Sequence, residues 1–366
     1  MVEAITAFDK TIYKKDSKGK IRFLRVYNEG SELVQESGLL DTESPIIHKS
    51  TAKAKNIGKV NETTPEKQAF LEAVSKIETK MSEGYFTSVA EATNTKIILP
   101  MLAKEYEKEK HKIVYPCYVQ PKLDGMRSLG GKDKPLISRK GKKITTMSHI
   151  QADLNTLSSE YYLDGELYAH GKSFQENMKI IKKDRGQETK NVKYHVYDLV
   201  CEKISFTERY DELKSIVKDL PNIEIVPRIT IQNEQELKHH HKLFINAGYE
   251  GTIVRHSEAS YAIDKRDSQL LKYKDFQDVA LKILDVIPMD KDLEQGSFIF
   301  TWVGAKGHPI GDDILGCGIR FSHAERADML KNKEKYIGKT AELRFFEFSD
   351  EEVPRHPVAI GIRLDK

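Results

Sequence analysis

The run Tyr118-Val119-Gln120-Pro121-Lys122-Leu123-Asp124-Gly125-Met126-Arg127 constrains this chain more than any other stretch. The apolar residues from Val114 to Val119 read as a strand, and Asp124-Gly125 reads as the turn that ends it. Lys122 is thereby fixed between strand end and turn. A lysine held so, with an arginine five residues on, suits an amine that acts as a nucleophile beside phosphate. The ordinary lysine pKa is about 10.4, so near neutrality most of it is protonated. Fixed cations such as Arg127 would lower that value by like-charge repulsion, and burial would lower it again. The same residues also fit an ordinary exposed lysine in an Asp-Gly turn, and only their context decides.

The rest of the 366 residues has room for two or three domains. Net charge is only +3, yet Lys10, Lys14, Lys15, Lys18, Lys20, Arg22 and Arg25 face a single acid, Asp16, in residues 10–25. Such a patch suits a phosphate backbone, although most charge runs are solvated faces. Cys117, Cys201 and Cys317 lie far apart without C-x-x-C spacing, which points away from a zinc site or disulfide framework and toward a reducing compartment. No signal peptide is visible and no apolar run approaches about 18 residues. The expectation is a monomer in the cytoplasm, with no membrane contact and no targeting signal.

Residues 1–60 read as short strands and turns. Ile21 to Tyr27 alternates, placing Arg22, Leu24 and Val26 on one face and Phe23, Arg25 and Tyr27 on the other. Ser44 to Thr64 is a polar, lysine-rich loop, and Pro65 to Glu83 is a helix with Thr64 as its N-cap. Through Tyr13–Lys20 and Lys55–Pro65 this region resembles the small basic WGR-like modules in front of some nucleic-acid enzymes, without the tryptophan that names them. A generic α+β cap is the competing reading. Residues 1–95 are expected to form a basic DNA-binding module.

A second region spans residues 96–275. Met101 to Lys112 has a charged, helical pattern; Leu136 to Gly141 is a strand running into a basic turn; Tyr161 to Tyr168 places Glu166 just after an Asp-Gly. Val192 to Val200 is a strand with Tyr197 near its end, followed by Tyr249 to Arg255 and Leu270 to Lys274. Each segment has an ordinary explanation as a solvated edge or a core aromatic. Together they supply a lysine nucleophile, an aromatic platform, two acids and two close cations, which is what activating a nucleoside triphosphate requires.

In order and spacing these segments resemble the nucleotidyltransferase motifs of the ATP-dependent DNA ligases of phage or viral type. That superfamily also holds RNA ligases and capping guanylyltransferases. The resemblance implies that Lys122 becomes adenylylated and that Gln120 meets the adenine edge. It implies Arg127 and Glu166 on the ribose, Tyr197 stacked on adenine, and Lys272 and Lys274 flanking the α-phosphate. Glu250, with Glu166, would hold Mg²⁺, with Mn²⁺ able to substitute, and Arg139 would grip the 5′-phosphate of the broken strand. Residues 276–366 are rich in short strands with glycine turns and suit a five-stranded OB barrel. Its last motif offers Arg355, Asp365 and Lys366 for the β- and γ-phosphates of ATP. The fold expected is α+β: a small basic N-terminal domain, a nucleotidyltransferase domain and a C-terminal OB-fold β-barrel. The activity expected is ATP-dependent sealing of nicked duplex DNA. A capping guanylyltransferase or RNA ligase, and a DNA-binding clamp with a dead nucleotide site, are the rivals.

Overall fold

The computed structural model describes residues 7–16, 18–94, 98–289, 292–301, 314–349 and 352–363. Three β-structures follow one another along it. The first is an antiparallel meander of β1 (Asp9–Lys15), β2 (Ile21–Glu29), β3 (Glu32–Leu39) and β4 (Ile46–Thr51). Alternation in β2 buries Leu24 and Val26, which meet Ile12 and Leu33 beneath Ala73 and Ile77 of helix α1 (Pro65–Ser82). The outward face is not free charge, because Arg25 lies 4.5 Å over the Tyr27 ring and pairs with Asp9 and Glu36. Helix α1 starts where Thr64 accepts a hydrogen bond from the Lys67 amide and Pro65 takes the first helical position. Glu83 caps its C-terminus, followed by Gly84 at φ +87°. The chain then rejoins β1 through Phe86, whose backbone bonds that of Tyr13, and continues into α2 (Val89–Asn94).

The middle of the chain forms two five-stranded sheets. Its elements are β5 (Leu102–Glu105), α3 (Tyr106–Glu109), β6 (Cys117–Lys122), β7 (Met126–Gly131), β8 (Lys134–Ser138), α4 (Ser148–Leu154), β9 (Leu163–Tyr168), α5 (Phe174–Lys182), α6 (Gln187–Lys190), β10 (Lys193–Leu199), α7 (Phe206–Ile216), β11 (Ile223–Ile225), β12 (Ile229–Ile231), α8 (Glu234–Asn246), β13 (Gly251–Arg255) and β14 (Arg266–Tyr273). One sheet runs β11-β10-β9-β7-β8 and the other β12-β6-β13-β14-β5. The helical pattern from Met101 to Lys112 is helical only from Tyr106 onward. Leu102–Glu105 pairs in parallel with β14, and only Tyr106–Glu109 and a 3-10 turn at Lys110–Lys112 are helical. Pairing with a distant strand outweighs local propensity at Leu102–Glu105.

The last β-structure is a closed barrel in the order β15-β16-β17-β19-β18. It comprises β15 (Gln277–Met289), β16 (Asp292–Thr301), β17 (Ile314–Ile319), β18 (Thr340–Phe345) and β19 (Val358–Arg363), with α9 (His323–Lys331) between the third and fourth strands. Strand β15 bonds β18 through its first half and β16 through its second, which closes the ring. Ile283, Phe298, Phe300 and Leu343 fill it. This is the five-stranded OB arrangement. No helix among the described residues is long and apolar enough to cross a membrane.

Candidate active site

Lys122 is the last residue of β6, opposite Gly251 of β13. The Asp124-Gly125 turn then carries the chain across to the other sheet. A Cβ on Gly125 would strike the Leu167 carbonyl oxygen and Glu166 Cγ, so glycine is what lets the turn lie flush against β9. Between the two sheets is a cleft of about 1260 Å³. Gln120, Lys122, Arg127, Arg139, Glu166, Tyr197, Lys272 and Lys274 all line it.

From an adjoining smaller pocket shared with Asp124, Glu250 reaches the same lysine and Arg355 reaches the turn after it. The Glu250 carboxylate, nearly buried, pairs with both the Lys122 and the Lys274 ammonium groups. Arg355 pairs with Asp124 at 3.2 Å and with Glu347, and its guanidinium lies 4.3 Å over the Phe174 ring. Asp365 and Lys366 lie outside the described residues.

The electrostatics favour a neutral amine. Burial is the leading cause that pushes the Lys122 pKa down, with Arg127 and Arg355 adding to it and Glu166 and Asp124 opposing. Burial thus comes ahead of the surrounding cations. Lys274 is pulled down to about 7, by burial first and then by Lys122 and Arg355, against Asp124. One carboxylate cannot support two adjacent ammonium groups in an enclosed site, so the pair gives up a proton readily. Lys272 is lowered by burial, with Arg266, Lys122 and Arg139 adding to it against Glu105. Burial pushes Glu166 up to about 7, against the pull of Lys122 and Arg127.

The aromatic and polar residues are placed by backbone features. Strand β10 has a bulge at Tyr197, between the Val196–Gly165 and Asp198–Asp164 pairings, and an extra residue at a bulge is re-aimed off the sheet. The Tyr197 hydroxyl lies 3.3 Å from the Gly165 carbonyl and 3.4 Å from Glu166. Its ring stands between Arg127 at 5.7 Å and Arg255 at 5.3 Å. Gln120 donates its amide to the Val226 carbonyl at 3.2 Å, leaving Oε1 buried without a hydrogen-bond partner among the described residues. Arg139 sits in the tight turn after β8. Burial, then Arg266 and Arg127, lower its pKa.

Two acids of this site have no signal in the sequence beyond their neighbours. Asp164, fully buried, takes a bidentate grip from Arg127 at 3.0 and 2.6 Å and a hydrogen bond from Tyr261 at 2.7 Å. The Arg127 guanidinium is therefore engaged by Asp164 rather than turned wholly to the cleft. Asp198, also fully buried, receives Arg209 at 2.6 Å and Arg255 at 2.7 Å. Asp164 precedes Gly165-Glu166 and Asp198 follows Tyr197, so both acids lay inside segments already singled out, but their partners lie in other segments, up to 97 residues away.

Residues 100–274, which hold most of this site, match the family model described as the ATP dependent DNA ligase domain. Residues 100–274 are thus an ATP-dependent DNA ligase domain. It is 27% identical over 343 residues to a DNA ligase of African swine fever virus, covering 85% of this chain and 78% of that protein. It is 23% identical over 337 residues to the DNA ligase of Enterobacteria phage T4, covering 73% and 68%. In fold the chain is similar to a solved Lig E DNA ligase, with a TM-score of 0.61 and 22% identity over 73% of this chain and 100% of that one.

ATP-dependent ligation implies a divalent metal. Among the described residues no three His, Cys, Asp or Glu side chains form a ready cage. The donors present nevertheless fit a hard cation, which needs only one or two carboxylates beside substrate phosphates and water. Glu166 in the cleft and Glu250 in the adjoining pocket are carboxylates that could hold it.

Proposed function

We propose that this ligase seals 5′-phosphate/3′-hydroxyl nicks in duplex DNA through a lysyl-AMP on Lys122 and an adenylylated DNA intermediate. The observation that carries the reading is a lysine with a lowered pKa, at a strand end in a large basic cleft, sharing one buried carboxylate with a second lysine. Such an amine is neutral often enough to attack.

In the first step the neutral Lys122 Nζ attacks the α-phosphorus of ATP; a P–N bond forms, the bond to the leaving oxygen breaks, pyrophosphate departs and the nitrogen loses a proton. Next an oxygen of the DNA 5′-phosphate attacks the same phosphorus, the P–N bond breaks and the nitrogen takes up a proton as the amine is released. Finally the 3′-hydroxyl attacks the activated 5′-phosphate; the phosphodiester forms, AMP leaves and the hydroxyl proton is lost. All three are phosphoryl transfers, for which positioning and charge stabilisation supply most of the catalysis.

Lys272 and Lys274 hold the α-phosphate oxygens in this reading. Glu250 and Glu166 hold Mg²⁺, or Mn²⁺ in its place, which neutralises phosphate charge when bound. Arg355, with Asp365 and Lys366, orients the β- and γ-phosphates, and Arg139 takes the DNA 5′-phosphate. Tyr197 stacks on adenine; Arg127 and Glu166 serve the ribose, with Asp164 fixing the arginine. The unpaired Gln120 Oε1 is an acceptor, which suits the amino group of adenine and opposes the carbonyl of guanine. That supports ATP over GTP and weakens the capping alternative.

Residues 1–95, 96–275 and 276–366 would act as three domains of a monomer around the duplex, with the barrel swinging near the exposed Phe276. The N-terminal module is DNA-binding and WGR-like in this reading. Viral and phage relatives support work on DNA replication and repair in the cytoplasm of a host cell. The test is incubation with labelled ATP or GTP, then nicked DNA or nicked RNA. Label from ATP alone, followed by sealing of the DNA nick, is expected; label from GTP or sealing confined to RNA would overturn it.

A further inference from the structure

Where the N-terminal module meets the basic turn of the middle region, one acid stands among cations. Glu83, the cap residue at the C-terminus of α1, has its two carboxylate oxygens on two different lysines. Lys80 Nζ lies 3.0 Å from one and Lys140 Nζ 3.0 Å from the other. Lys14 Nζ donates to the Glu83 main-chain carbonyl at 3.0 Å. Lys14, Lys80, Glu83, Arg139 and Lys140 all line the cleft that holds Lys122.

The position is a poor one for an acid on helix grounds. The C-terminus of a helix carries partial negative charge, so a carboxylate there is repelled by the element that bears it. Its use must lie with the cations instead. Lys140, otherwise largely exposed, reaches across 57 residues of sequence to this carboxylate, and Lys80 joins it from the last turn of α1. Two ammonium groups on separate oxygens of one anion is the way a phosphodiester is gripped through its two non-bridging oxygens. A carboxylate and a phosphodiester also carry the same single charge, so one can replace the other without leaving a cation unpaired.

We propose that Lys80 and Lys140, with Lys14 and Arg139 beside them, form a seat for a backbone phosphate of duplex DNA, and that Glu83 occupies this seat until the duplex displaces it. The seat joins the N-terminal module to the middle region, so the exchange makes the module's grip conditional on DNA. It rests on the nick-sealing reading above. Displaced, Glu83 turns to solvent, and its charge opposes binding in proportion to how well it competes.

The full-length protein and its Glu83→Gln and Lys140→Ala variants are titrated with a fluorescent nicked duplex across a salt series, with self-adenylylation by ATP measured alongside. Glu83→Gln is expected to bind the nick roughly threefold or more tightly, and to steepen the slope of log affinity against log salt by up to about one, because no displaced carboxylate takes up a cation when the duplex binds. Its self-adenylylation is expected to stay unchanged. Lys140→Ala is expected to weaken nick binding, and the double variant to lose the gain. Binding by Glu83→Gln that is equal to or weaker than wild type means that the acid is only glue between the domains, and overturns the proposal. Wild-type protein that takes up AMP yet binds no nicked duplex overturns the nick-sealing reading itself and this proposal with it.

Discussion

The guanidinium of Arg355 lies 3.2 Å from the carboxylate of Asp124, joining the C-terminal barrel to the turn that follows Lys122 across 231 residues of sequence. Arg355 is also one of the cations that depress the Lys122 pKa. The barrel therefore contributes charge to the lysine when it is closed over it.

Replacing Arg355 by alanine should consequently damage the first step selectively. Self-adenylylation is expected to fall by about a hundredfold or more, as for loss of a charge-stabilising donor. Sealing of a nick supplied already adenylylated should stay within a few-fold of wild type. Equal losses in the two assays would contradict the assigned role.

The Lys122–Glu250–Lys274 arrangement sets a pH dependence. With Lys122 as the proposed nucleophile, its neutral form is the reactive one and grows with pH, so self-adenylylation should rise toward the alkaline side and level off below the ordinary lysine value of 10.5. Lys274→Met leaves Glu250 to Lys122 alone, which favours the ammonium. The rate should fall, and the rising limb should move to higher pH by on the order of one unit. A lower rate with an unmoved limb would mean that Lys274 does not tune the nucleophile.

Glu250 is expected to serve the metal when substrate is bound. Chelation should stop self-adenylylation, and added Mg²⁺ or Mn²⁺ should restore it. Glu250→Gln should raise the metal concentration for half-maximal rate by about tenfold or more. An unchanged metal requirement would remove Glu250 from the ligand set.

Behind Tyr197, the fully buried Asp198 carries two arginines, one of them the fully buried Arg209. Asp198→Ala leaves those cations uncompensated and should cost about 3–5 kcal/mol of stability. Urea unfolding followed by circular dichroism measures it; a midpoint equal to wild type would show the network to be dispensable.

Much of this site could be read in the sequence because its residues come in short strand-and-turn motifs. Glu166 and Glu250 each adjoin a glycine, Lys122 stands three residues before one, and Lys272 and Lys274 share a face by simple alternation. The barrel was equally legible from strands spaced by glycine turns. What pairs with what was not legible. Asp164 with Arg127 and Tyr261, and Asp198 with Arg209 and Arg255, are set by packing between strands, a helix and a loop up to 97 residues apart, and no local pattern encodes it. The strand Leu102–Glu105 was hidden for the same reason, since its partner β14 lies far down the chain. The basic N-terminal run misled in another way: Arg25, counted there as a free cation, is neutralised by Asp9 and Glu36.

Intact-mass measurement of the protein after incubation with ATP and Mg²⁺ at mildly alkaline pH, with peptide mapping of the product, reaches the centre of the account. Wild-type protein should gain the mass of one AMP, mapped to Lys122, and Lys122→Ala should gain none. Adduct formation that persists in Lys122→Ala, or a wild-type protein that never takes up nucleotide, would contradict it.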